Sequence, residues 1–113
     1  MTVFRSLVLA IWLALIVYTV IVIANHGWGL VPIFFGDIAA MTWPGQFNFD
    51  FAGFLILSAL WTGWRDKFSP AGIALMPVAL FGGIGFLGVF LLVLSFRHDS
   101  LQSLILGKQM SQA

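Results

Sequence analysis

The feature that most constrains this chain is the placement of its few charges. Nine of its 113 residues are Asp, Lys or Arg, and Glu is absent. Seven of the nine lie near the chain start (Arg5), in the run Arg65-Asp66-Lys67, or after Phe96 (Arg97, Asp99 and Lys108). Between these clusters lie three apolar stretches, each long enough to cross a hydrocarbon layer of ~30 Å. Asp37 and Asp50 are the exceptions, with no basic residue near them in sequence. The pattern predicts an all-α membrane protein: a single membrane domain over residues 1–113, with three transmembrane helices and a short interfacial helix between the first and second.

The rest of the composition narrows the chemistry. Hydrophobic residues make up 61% of the chain, against roughly 45–50% in a soluble domain. A net charge of +1 gives nucleic-acid binding no electrostatic basis. With no Cys, disulfides, thiolate metal sites and a Cys nucleophile are excluded. Two His and four Asp supply a metal cage poorly, and no metal site is expected. The chain has no phosphate-binding glycine loop, no HExxH, no GxSxG and no pair of Glu residues. No catalytic residue is assigned and whether the chain is an enzyme stays open, as does any cofactor.

The first helix is read over about 6–24, nineteen uncharged residues from Ser6 to Ala24 that cover about 28 Å. Val22-Ile23-Ala24 would suit a signal-peptide cleavage site. The run is longer than the usual ~7–15 residue h-region, so a retained helix is expected. Gly27, Gly29 and Pro32 stop it from running on. Val31, Phe34, Phe35, Ile38 and Met41 then recur at helical spacing, predicting an interfacial helix over about 30–42, bracketed by Trp28 and Trp43. Asp37 falls on its other, solvated face. Pro44-Gly45 reads as a turn. The second span is placed at about 47–64, because a start at Phe51 leaves only ~21 Å of helix. Ser69 and Pro70 mark the start of a third span over about 71–96. That span is longer than a bilayer needs, so tilt or a kink at Pro77 is expected. A polar tail follows over 97–113, its last residues from Gln109 to Ala113 read as disordered.

Small residues point to helix packing: Ala10 and Ala14 in the first span, and Ala79, Gly82, Gly83, Gly85 and Gly88 in the third. The candidates for chemistry gather between the first and second spans. Asp50 is foremost, because an ionisable group within a membrane segment costs a few kcal/mol to bury. Gln46 shares its helical face and Asn48 lies beside it. His26 is its natural partner if the first two spans pack antiparallel. Together these four would bind a ligand or handle a proton. The plainer alternative is that Gln46, Asn48 and Asp50 cap free backbone N–H groups and that His26 is interfacial. Arg65, Lys67 and Arg97 read as interface anchors.

His26-Gly27, Asn48 and Asp50, Ser58, Arg65, Pro77 with its following glycines, and Arg97 occur in an order that resembles a group of short bacterial three-helix inner-membrane proteins catalogued as a domain of unknown function. The likeness covers about residues 5–98 and is one of architecture. It implies a bacterial inner-membrane location and three helices, and carries no activity. By the Lys and Arg of the short loops, three inside against two outside, the N-terminus is expected in the cytoplasm and the C-terminus in the periplasm. The expected partners are the lipid bilayer and either further copies of the chain or a larger membrane complex. The leading expectation is an accessory or lipid- or ligand-binding subunit. The alternatives are a small oligomeric transporter or proton-coupled carrier using Asp50, and a membrane enzyme acting on a lipid or isoprenoid.

Overall fold

A computed structural model describes residues 1–112 and contains helices only, with no strand among the described residues. In chain order these are α1 (Thr2–His26), α2 (Leu30–Ala40), α3 (Trp43–Arg65), α4 (Pro70–Arg97) and α5 (Leu101–Leu106), followed by a 3-10 turn over Gly107–Gln112. Ala113 lies outside the described residues. By length and composition, α1 and α4 are apolar enough to cross a membrane.

The boundaries follow from local chemistry. α1 stops where Gly27 takes φ 73°, a conformation that costs glycine nothing. Thr42, in extended conformation, precedes α3, and Pro44 lies in its first turn, where a missing N–H is harmless. Pro44-Gly45 is therefore not the expected turn but the opening of α3, which is 23 residues long and about 34 Å. Gly45 is needed there for a second reason. A Cβ at this position would collide with the main chain of Asp37 and Ile38, so its absence lets α2 lie against α3. Ser69 caps α4, its Oγ accepting from Gly72 N at 3.2 Å, with Pro70 in the first turn. Ser100 caps α5 in the same way, accepting from Ser103 N.

The largest departure from the sequence reading lies within α4. Pro77, where a kink was expected, lies inside the helix, and the residue with non-helical dihedral angles is Gly83, six positions on, at φ 53° and ψ −138°. Proline's fixed φ is helix-compatible, and its cost is one lost hydrogen bond. A positive φ with this ψ is open in practice only to glycine. The consequence is a reversal of the chain. Gly72 lies beside Asp66 and Met76 beside Gly63, whereas Gly83 lies beside Phe51 and Leu55. Beyond Gly83 the contacts climb back: Phe90 reaches Trp61 and His98 reaches Arg65. A straight helix from residue 72 to residue 98 would be about 39 Å long, yet Gly72 lies beside Asp66 and His98 meets the adjacent Arg65. α4 is therefore a hairpin of two limbs, 70–82 and 84–97, hinged at Gly83. Each limb is only about 20 Å long.

α1 lies antiparallel to the second limb. Arg5 bonds Ser95 at one end, and Trp12 Nε1 donates to the Gly85 carbonyl at 3.0 Å nearer the hinge. Gly88 admits this contact, since a Cβ there would come within 2.6 Å of Trp12 Cδ1. The doubling back puts the start of α1 and the tail segment after α4 at the same end of the molecule.

The expected packing residues divide accordingly. Ala79 and Gly88 are buried, Gly83 is the hinge and Gly85 offers its carbonyl, whereas Ala10, Ala14 and Gly82 face outward. The α1 surface that packs carries Arg5, Val8 and Trp12, one turn apart. Few apolar side chains are enclosed: Val8, Ala59, Ala79, Leu94 and Leu104. Large apolar side chains cover the outside of all four long helices, among them Leu7, Val17, Phe35, Phe54, Phe81 and Val93. The buried polar residues are Thr62, Arg65 and Ser95. The distribution is the reverse of a soluble domain, which encloses its large apolar residues.

Candidate functional site

At the end where α3 begins, the sequence candidates are brought to one region but are not joined. Asp50 is exposed. It is the eighth residue of α3, beyond the first turn whose N–H groups need caps, so the capping reading does not hold for it. Its side chain borders an open groove of about 450 Å³ lined also by Gly53, Phe54, Ile56 and Leu57. Gln46, one turn earlier, is exposed and lines a separate hollow with Met41, Thr42 and Trp43. Asn48 turns toward α2, where its Nδ2 donates to the Phe34 carbonyl at 3.2 Å. That bond fastens α2 to α3 and gives Asn48 a structural role. His26 is exposed at the end of α1, and among the described residues no hydrogen bond or ion pair joins it to Asp50. Asp37 is half-buried rather than fully solvated, with its main chain against Gly45.

The other end carries the built cluster. All five Lys and Arg lie there: Arg5 on α1, Arg65 and Lys67 at the α3–α4 turn, Arg97 ending α4 and Lys108 on the tail. Arg65 is not an exposed interface anchor but is 7% exposed. Its Nε donates to the Leu104 carbonyl at 3.0 Å, and its guanidinium lies 5.9 Å from the Trp61 ring and 5.7 Å from that of Phe90. Its Nη2 lies 3.3 Å from His98 Nε2. Arginine has only donors, so Nε2 accepts and the imidazole proton sits on Nδ1. That proton points to Ser103 Oγ at 3.0 Å, and Ser103 in turn donates to the Ser100 carbonyl at 3.3 Å. A directional chain thus runs from α3 through His98 into α5. Arg5 makes a parallel clamp, its Nε on Ser95 Oγ at 3.0 Å, its Nη2 on the Ser95 carbonyl at 2.6 Å, and its guanidinium 4.1 Å from the Phe96 ring. A cation at the last turn of a helix also meets the negative end of its dipole.

The tail is docked over this cluster, and Gln109, where disorder was expected to begin, makes a side-chain hydrogen bond there. Trp61 Nε1 donates to the Ile105 carbonyl, and Gln109 Nε2 donates to the Trp64 carbonyl at 2.7 Å. Lys108 pairs with Asp66 at 3.2 Å. Asp66 also accepts from the Ser69 hydroxyl. The Ser69 bond is the main cause holding the Asp66 carboxyl below its usual range. Slight burial opposes it, and Lys108 adds to it through its hydrogen bond and charge.

The sequence reading missed the Arg65–His98–Ser103 chain and the Arg5–Ser95 clamp, whose partners lie 33 and 90 residues apart. The available signal was Ser95 and His98 flanking Arg97 at the end of an apolar run. No group of three or more His or Asp residues able to hold a metal occurs among the described residues. Comparisons with protein-family models, with curated proteins and with solved structures found no match.

Proposed function

We propose that the chain is an integral protein of the bacterial inner membrane that serves as an accessory subunit of a membrane assembly. In this reading α1 and α3, each over 30 Å long, cross the bilayer. α4 is re-entrant: its limbs are too short to span and return to the side they left. The observation that carries the membrane reading is the inside-out distribution, with Arg65, Thr62 and Ser95 enclosed and large apolar side chains outward. The break at Gly83 lies against the side chains of Phe51 and Leu55 of α3, so protein covers part of this non-helical backbone.

The orientation in this reading rests on the same geometry. Arg5, Arg65, Lys67, Arg97 and Lys108 share one end, and no Lys or Arg lies at the other. The positive-inside rule then puts both termini in the cytoplasm, five cations against none, where a straight third span left three against two. Trp28 and Trp43, both largely exposed, stand at the level of the opposite headgroups.

Asp50 supports the subunit role. In this placement it lies about 10 Å along α3 from its outer end, facing away from its own fold into an apolar groove. A carboxylate at hydrocarbon depth costs a few kcal/mol unless a partner group meets it. Among the described residues the chain supplies none there, and in this reading a neighbouring subunit does. Purification in a mild detergent tests this, with particle mass measured for the wild type and for Asp50→Asn. The expected result is a particle larger than the monomer that dissociates in the variant. A monodisperse wild-type monomer contradicts the reading.

A further inference from the structure

We propose that His98 is a proton-operated latch that helps to hold the C-terminal segment 101–110 onto the end of α3. The inference rests on the direction of the bonds. The Arg65 guanidinium can only donate, so its 3.3 Å contact with Nε2 exists only while the imidazole is neutral. Protonation turns Nε2 into a second donor and puts a second cation against a buried one. That contact must open. Through Ser103 the imidazole is also a second link between Arg65 and α5, beside the direct Arg65 bond to the Leu104 carbonyl, so its movement loosens the start of the docked segment.

The charges around His98 do not offset this. Arg65 faces it from α3, and Arg97 and Asp99 flank it in sequence. At the same end stand Arg5 of α1, with Lys67 in the α3–α4 turn. Asp66 is committed to Ser69 and to Lys108 of the tail. No carboxylate forms an ion pair with His98 among the described residues. The segment it holds is short, six helical residues and a 3-10 turn. Such pieces are not stable alone and depend on docking. Release would uncover Arg65 and the fully buried Leu104, giving a partner at this end two surfaces to distinguish.

A second pH-dependent contact of the tail belongs to Asp66. Its carboxyl is held below the usual range, so the Lys108 pair contributes to docking above the ordinary carboxylate range and is lost as pH falls through the lowered value.

The test uses the full chain in nanodiscs with a spin label on Gln102→Cys. Gln102 is exposed and the chain has no other cysteine. Between about pH 7.5 and about pH 5.5, the range in which imidazoles titrate, the ratio of mobile to immobile label should rise about tenfold (about 1.4 kcal/mol). Nitrogen NMR of the imidazoles should show His98 with its proton on Nδ1 at the upper pH, and its protonation should coincide with label release. His26→Gln identifies the His98 signal. His98→Gln should show no step in this range, and Asp66→Asn should keep it. Four results overturn the proposal: release without His98 protonation, protonation with the label still immobile, an Nε2-protonated tautomer at the upper pH, or an unchanged step in His98→Gln.

Discussion

The two ends of this molecule use the same kinds of residue in opposite ways. Where α3 ends, Arg5, Arg65, Ser95 and His98 each have partners from a distant part of the chain, and Arg65 and Ser95 are buried. Where α3 begins, Asp50, Gln46 and His26 are exposed, and only Asn48 is tied down. A buried polar group without a partner costs about 1–3 kcal/mol, and among the described residues none is left so. The first end therefore holds the fold together. The second has side chains free for something outside the fold. Polar residues in an apolar chain are not equivalent evidence of function: partnership within the chain separates the two kinds.

Substitutions at each end sharpen this contrast. The largest effect is expected at Arg65, where Arg65→Gln removes a charged donor from the Leu104 carbonyl and from His98. A loss of about 3 kcal/mol in unfolding free energy is predicted, with mobile tail residues in hydrogen exchange. A stability within 0.5 kcal/mol of wild type, the range for an ordinary surface change, would break the distinction between the ends. Next comes the hinge. Gly83→Ala forces a Cβ onto a backbone at φ 53° and against Phe51 Cζ at 3.4 Å, and should cost about 1–3 kcal/mol. Its neighbour Gly85, with open space around its Cβ direction, should accept Ala at less than about 1 kcal/mol. Equal losses at the two glycines would argue against a hinge at residue 83. The smallest effect on stability is expected at Asp50, where Asp50→Asn should stay within about 0.5 kcal/mol in the isolated chain while disrupting assembly. A large loss of stability in the monomer would move Asp50 to the structural side of the comparison.

Particular residues show how far the sequence could be read. The α1 and α3 cores, α2 and the Ser69-Pro70 start of α4 were legible, because apolar length, capping and proline placement are local signals. Gly83 was not. The sequence shows several glycines after a proline, and a kink assigned by residue type falls on Pro77. Only the pairing of 72 with 66, 83 with 51 and 98 with 65 selects among them. Arg65 was misread for a related reason. An arginine at the end of an apolar helix looks like a headgroup anchor until the returning limb and tail cover it. The Asp50 region was legible as a set of polar residues. The sequence could not show that Asn48 turns inward while Asp50 turns out.

The central claim is that the chain doubles back at Gly83, so that both termini share one side of the membrane. Single cysteines at Ser6, Trp28 and Gln102, introduced into a chain that has none, give the direct test by labelling with a membrane-impermeant maleimide in spheroplasts and in inverted vesicles. The account predicts that Ser6→Cys and Gln102→Cys label only from the cytoplasmic face and Trp28→Cys only from the periplasmic face. Labelling of Gln102→Cys from the periplasmic face, with Ser6→Cys cytoplasmic, would mean that α4 crosses, and would contradict it.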